Sequence, residues 1–301
     1  MKITLQLSTR TRYLLIGATL FLAGFSLAVF AAPVSVADDR GVVVGFDNPP
    51  QRIVSLLPSL TESVCALGKC SALVGVDRFS NWPKSIQGLP KLGGMGDINI
   101  ERIAQLKPDV VLLEKASPVI ARLNGLGIKN FALDVKSMGD EERALQKLDL
   151  LLGSSEKARV WNQIQKEIMR ANKQLATSNQ NVRVYFEINP APFAAGNTSF
   201  IGEILTQLAL VNIIPKSLGP FPKINPEFVV QEKPDVILLT ESTAVDIQKR
   251  PGWNSIPAIS KNRICVFSGE QNDILVRPGP RMGEAALIIS QCIQEKMSSS
   301  R

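Results

Sequence analysis

The segment Asn99–Glu114 recurs, without a gap, as Asn225–Thr240, and nine of the sixteen positions are identical. Each copy reads as one helix-turn-strand unit. Asn99 or Asn225 can cap a short helix, with Glu101 or Glu227 in its first turn. Lys-Pro-Asp then stops the helix, because the residue before proline is steered away from the α region. A β-branched and leucine run follows, as in a strand buried on both faces. A chain that carries this unit twice is constrained to build two related α/β lobes.

The rest of the sequence supplies the other elements in two series. The first has strands at Arg52–Leu56, Ala72–Val76, Asp109–Leu113 and Asn130–Val135, with helices near Thr61–Leu67, Ile100–Leu106, Val119–Leu126 and Asp140–Leu152. The second has strands at Val182–Glu187, Asp235–Leu239 and Arg263–Phe267, with helices at Phe200–Leu208, Pro226–Glu232 and Gly283–Glu295. Between them, Trp161, Ile164, Ile168, Ala171 and Leu175 alternate at spacings of three and four, the period of one long amphipathic helix. Ser154 or Ser155 can cap it. The expected organisation is α/β, with an N-terminal lobe over 50–153, a connecting helix over 154–178 and a C-terminal lobe over 179–297.

Ahead of the lobes, Lys2, Arg10 and Arg12 precede an apolar run from Tyr13 to Phe30 and small residues at Ala31 and Ala32. This is the pattern of a secretory signal, expected to occupy residues 1–31. No cysteine stands near the end of the run, so acylation there is not expected. Removing residues 1–31 lowers the formal charge from +7 to +4. No stretch is basic and aromatic enough to suggest nucleic-acid binding. The sequence contains no histidine, which removes histidine-bearing triads and the commonest zinc ligand, and no metal site is expected. Among four cysteines, Cys65 and Cys70 are the only close pair, a disulfide candidate in an oxidising compartment.

Ser55-Leu-Leu-Pro58-Ser59-Leu-Thr61-Glu62, then Val74–Pro83, then the repeated Asn-x-Glu-x-x-x-x-x-Lys-Pro-Asp unit, resemble the periplasmic cobalamin-binding proteins. Ile188-Asn189-Pro190 and Arg277-Pro278-Gly279-Pro280-Arg281 continue the likeness across residues 50–297. The resemblance implies two Rossmann-like lobes joined by a single long helix, a ligand cleft between them, and capture of a cobalamin-like corrinoid for an ABC importer. It implies a monomeric periplasmic carrier with no cofactor and no enzymatic activity. Phe79 stands where that family has Tyr, Phe221 where it has Trp, and Phe193 at another cleft aromatic. Met95 takes a position that can hold Trp. The resemblance also implies that Glu101 and Glu227 meet a membrane-embedded permease dimer, one carboxylate on each subunit.

Trp82, Asp273 and Arg277 complete the candidate ligand site, the last two on a loop with Gln271 and Asn272 after the Arg263–Phe267 strand, where α/β sites commonly form. Trp253 reads as structural. A ferric siderophore is the competing ligand, with Arg78 and Arg277 facing an anionic complex. Haem fits less well, because histidine is absent and Tyr185 falls in a strand. An α/β enzyme is disfavoured by the lack of a Gly-x-Gly-x-x-Gly or phosphate loop; Gly93-Gly94-Met95-Gly96 reads as a turn.

Overall fold

The computed structural model describes residues 33–175, 179–245 and 247–298. The expected signal segment and the last residues of the expected connecting helix, 176–178, lie outside them. A hairpin of β1 (Val34–Ala37) and β2 (Val43–Phe46) comes first. The N-terminal lobe then runs β3 (Ile53–Ser55), α1 (Pro58–Ala66), β4 (Leu73–Val76), α2 (Ile100–Gln105), β5 (Val110–Glu114), α3 (Ile120–Gly125), β6 (Asn130–Leu133) and α4 (Met138–Leu151). Its sheet is parallel, in the order β4-β3-β5-β6. At the turn between β1 and β2, the Asp38 carboxylate accepts from Ala132 N at 3.2 Å and covers the open edge of β6.

A long helix, α5 (Lys157–Gln174), leads to the C-terminal lobe. There β7 (Arg183–Asn189), β8 (Phe193–Ala194), α6 (Phe200–Gln207), β9 (Val211–Asn212), α7 (Pro226–Glu232), β10 (Val236–Thr240), α8 (Pro257–Ser260), β11 (Ile264–Phe267), α9 (Gly269–Val276) and α10 (Met282–Ser298) follow. The parallel strands stand in the order β9-β7-β10-β11, with β8 antiparallel on the far end of β7. Both lobes therefore place their first strand between the second and third, the order of doubly wound sheets.

The two repeat copies fold alike, with an asparagine cap three residues from its N–H partner in the first copy and two in the second. Asn99 Oδ1 accepts from Arg102 N at 2.8 Å, and Asn225 Oδ1 from Glu227 N at 3.0 Å. Lys107 and Lys233 close their helices in the left-handed region, at φ 45° and 47°. A left-handed residue escapes the clash that proline imposes on αR, so the lysine ends the helix by reversing its twist. The aspartates hold the neighbouring strand: Asp109 Oδ2 accepts from Arg52 N at 2.8 Å, and Asp235 Oδ2 from Arg183 N at 3.0 Å. Those arginines return guanidinium hydrogen bonds to the helix ends, at Leu106 O (2.6 Å) and Glu232 O (2.8 Å).

Strand alternation sorts the same copies between cores. Val110 and Leu112, with Val236 and Leu238, join one continuous core that also holds Ile164, Ile168 and Ile289 from the long helices. Val111 and Leu113 face a satellite core of the N-terminal lobe, and Ile237 and Leu239 one of the C-terminal lobe. Each such side chain, wholly buried, contributes about 1.5–3 kcal/mol. Because the largest core spans both sheets and α5, the lobes are packed into one body.

Helix α5 buries Ile164, Ile168 and Ala171 as the spacing predicts, and packs along α10. Its start differs from expectation. Glu156 is the cap residue in place of Ser154 or Ser155; Ser154 Oγ donates to Leu67 O at 2.9 Å and accepts from Glu156 N at 3.3 Å, while the Asp149 carboxylate accepts from Glu156 N and Lys157 N at 3.0 and 3.2 Å. An ionised carboxylate is the stronger acceptor for two free N–H groups, and its own helix places it there. Cys65 is bonded to Cys70, and Cys265 to Cys292, so the C-terminal helix is tied to β11.

Candidate functional site

A cleft of about 550 Å³ opens at the carboxyl ends of β3 and β4. Leu56, Leu57 and Pro58 follow β3, and Asp77, Arg78 and Phe79 follow β4; Asp273, Val276 and Arg277 close it from the C-terminal lobe. The carboxyl ends of doubly wound strands are where α/β proteins form crevices, since the crossover helices diverge there. Phe79 is 58% exposed and Met95 68% exposed, so both offer unburied apolar surface. Gly94 makes the floor possible. A Cβ at Gly94 would lie 2.8 Å from the Phe79 ring and 3.0 Å from Arg78 Nε. Gly93, at φ +92°, turns the chain so that Asp97 accepts from Gly94 N at 2.9 Å and pairs with Arg78.

Behind the cleft lies an ion network between the lobes. Glu62, 1% exposed on α1, accepts from Arg277 Nη1 at 3.0 Å and from Arg281 Nε and Nη2 at 2.8 and 2.6 Å. Arg277 also donates to Asn81 Oδ1 (2.8 Å) and Phe79 O (3.1 Å) and pairs with Asp273 at 2.9 Å. Asn81 Nδ2 closes the ring onto Asp273 at 2.7 Å. The loop that carries Phe79 is thus fixed from the opposite lobe. Asp77, nearly buried, accepts from Phe79 N at 2.7 Å and from Ser80 Oγ; burial raises its carboxyl above the usual range.

Of the candidate ligand residues, Phe79, Met95, Asp273 and Arg277 meet at this cleft. Asp273 and Arg277 do so with their charges already paired, and α9 replaces the expected loop over Gln271–Asp273. Trp82 lies beneath the Arg281 guanidinium, 4.8 Å from its ring centre, and does not line the cavity. Phe221 packs edge-on to the buried Phe200, with ring centroids 6.2 Å apart. Phe193 is on β8, paired to β7. Neither Phe193 nor Phe221 lines this cavity. Glu101 and Glu227 are exposed in the first turns of α2 and α7, with Arg122 3.5 Å from Glu101. Trp253 is wholly buried against Tyr185. Sequence reasoning assigned no role to Leu56, Leu57, Val276, Asn81 or Glu62. Leu56 ends a predicted strand and Leu57 follows it, Glu62 stands in the quoted Ser-Leu-Thr-Glu motif, and nothing in the sequence pointed to Val276.

Glu141 of α4 is fully buried beside Ser63, whose Oγ lies 3.3 Å from it, and near Glu62. Burial drives its carboxyl well above the usual range, and the Glu62 charge adds to this. The folded protein therefore holds a proton that the unfolded chain releases near its ordinary value of 4.5. The resulting stability is present below that pH and is lost as pH rises toward the folded value, by up to about 1.4 kcal/mol per pH unit. Glu141→Gln should be more stable than the parent at neutral pH, with the advantage shrinking toward pH 4.5. Urea melts of both proteins across that range check it; an advantage independent of pH would refute it.

A two-lobed α/β body with a largely apolar crevice between its lobes, its rim held by ion pairs, has the architecture of a solute-binding protein. The chain belongs to the periplasmic binding protein family, whose model matches residues 53–269, and this is a family of carriers rather than enzymes. It is 27% identical over 264 residues to a vitamin B12-binding protein of Pectobacterium atrosepticum, covering 83% of this chain and 91% of that one. It is 28% identical over 273 residues to an uncharacterized ABC transporter substrate-binding lipoprotein of Bacillus subtilis, covering 87% and 85%. A periplasmic heme-binding protein from Pseudomonas aeruginosa superposes with a TM-score of 0.69 at 25% identity, covering 82% and 93%.

Proposed function

We propose that the protein captures a corrinoid, cobalamin or a close relative, in the cleft between its lobes and delivers it to the permease dimer of an ABC importer. The observation that carries this reading is the pairing of every arginine at the cleft. Arg78 is matched by Asp97, and Arg277 by Glu62 and Asp273. A ferric siderophore with an anionic complex would need an unmatched cation there, whereas a broad amide-rimmed macrocycle needs apolar faces such as Phe79, Met95 and Leu57. Haem finds no axial ligand in Tyr185, which is wholly buried and donates to Glu187 at 3.0 Å.

The name of the Pectobacterium relative agrees with this ligand class. A periplasmic site of action accords with four cysteines all held in disulfides. Glu101 and Glu227, exposed at equivalent helix starts, suit one arginine-rich contact on each permease subunit.

Titration calorimetry with cyanocobalamin tests the reading. Binding at one site is expected, and Phe79→Ala should weaken it by about 1–3 kcal/mol through loss of an aromatic face. Binding of a ferric siderophore with no corrinoid response would overturn it.

A further inference from the structure

A second cavity, about 220 Å³, adjoins the cleft and shares Leu56, Leu57 and Met95 with it. It continues between the carboxyl ends of β3 and β5, where Ile98, Leu113 and Pro118 form further walls. In the sheet order β4-β3-β5-β6, the chain crosses to one side of β3 to make β4 and to the other to make β5. The gap between β3 and β5 is therefore the topological switch point of the N-terminal lobe, a place where doubly wound sheets open a crevice of their own. Its polar side chains are Glu114 and Ser117 alone. Met95 stands on the boundary of the two cavities and is 68% exposed, an unbranched side chain free to change rotamer.

We propose that this annex is a specificity subsite, which takes a flat apolar substituent of the ligand while the body of the ligand occupies the main cleft, with Met95 as the side chain that yields to admit it. The proposal rests on the corrinoid reading above, for which the substituent is the benzimidazole of the nucleotide arm. A bulkier residue at position 95 would wall the annex off, whereas methionine can fold back against Leu56 and Leu57. The walls then exclude water from both faces of an aromatic ring.

Cobalamin and cobinamide separate the two ideas, because cobinamide keeps the corrin and lacks the benzimidazole. Titration calorimetry of the purified protein should show cobalamin binding about tenfold or more tightly than cobinamide, as burial of an aromatic ring requires. Ser117→Phe, which fills the annex, should remove that preference and leave cobinamide affinity unchanged, with an unaltered melting temperature as the check on folding. Equal affinities in the parent, or equal weakening of both ligands by Ser117→Phe, would overturn the annex and leave the corrinoid reading standing. If neither corrinoid binds, both fall together.

Discussion

Glu62→Ala should destabilise the protein by about 3–5 kcal/mol, the scale of leaving buried charges without their partner. Both arginines that face Glu62 are buried; Arg277 would keep Asp273, Asn81 and the Phe79 carbonyl, whereas Arg281 would keep its guanidinium out of water with little left to satisfy it. Arg281 has no other close carboxylate; Glu270 is 3.7 Å away and exposed. For a chain of this size the loss corresponds to a fall in melting temperature of roughly 10 °C. Glu62→Gln keeps the shape and one acceptor, and should fall between the parent and the alanine variant. The effect should extend to the ligand, since Arg277 also holds the Phe79 carbonyl and Asn81 in place. Denaturant unfolding measures the first consequence. A Glu62→Ala loss below about 1 kcal/mol, in the range of ordinary surface changes, would show that the network is not stabilising.

The second large effect is expected at the Cys265–Cys292 bond. It closes a loop of 27 residues, against 5 for Cys65–Cys70. On the chain-entropy account the longer loop contributes about 3.5 kcal/mol and the shorter about 2 kcal/mol. Replacing Cys265 and Cys292 together by Ala should therefore cost more than the same change at Cys65 and Cys70. The longer bond also ties α10 to the sheet, and α10 is the helix on which α5 packs, so its release loosens the joint between the lobes. Equilibrium urea unfolding of the two double variants ranks them. A larger loss at Cys65 and Cys70 would contradict the account.

What could be read before folding follows from range. The repeated Asn-x-Glu unit with its Lys-Pro-Asp ending contains both its helix cap and its stop, all within sixteen residues, so its structure is local and its periodicity announces buried strands. Helix α5 was legible for the same reason: its apolar stripe is a property of neighbouring residues. The cap of α5 was misplaced because Asp149, five residues before the nearer serine, reaches the free N–H groups only after α4 has turned. The aromatic candidates were less legible. Phe79 and Phe193 both lie near strand ends and look alike in sequence, yet one lines the cleft and the other sits on a short strand beside β7.

The sequence by itself determined a repeated helix-turn-strand unit, the buried strands, the long amphipathic helix and the family of binding proteins to which the chain belongs. Tertiary structure alone decided which residues meet. Arg277 and Arg281 reach Glu62 across separations of 215 and 219 residues, and Asn81 reaches Asp273 across 192. No periodicity or spacing encodes such partners, because a carboxylate buried in one lobe constrains only the sum of charges opposite it and not their place in the chain. The same holds for Cys265 and Cys292, and for the annex, whose walls come from the ends of strands that only sheet order makes neighbours.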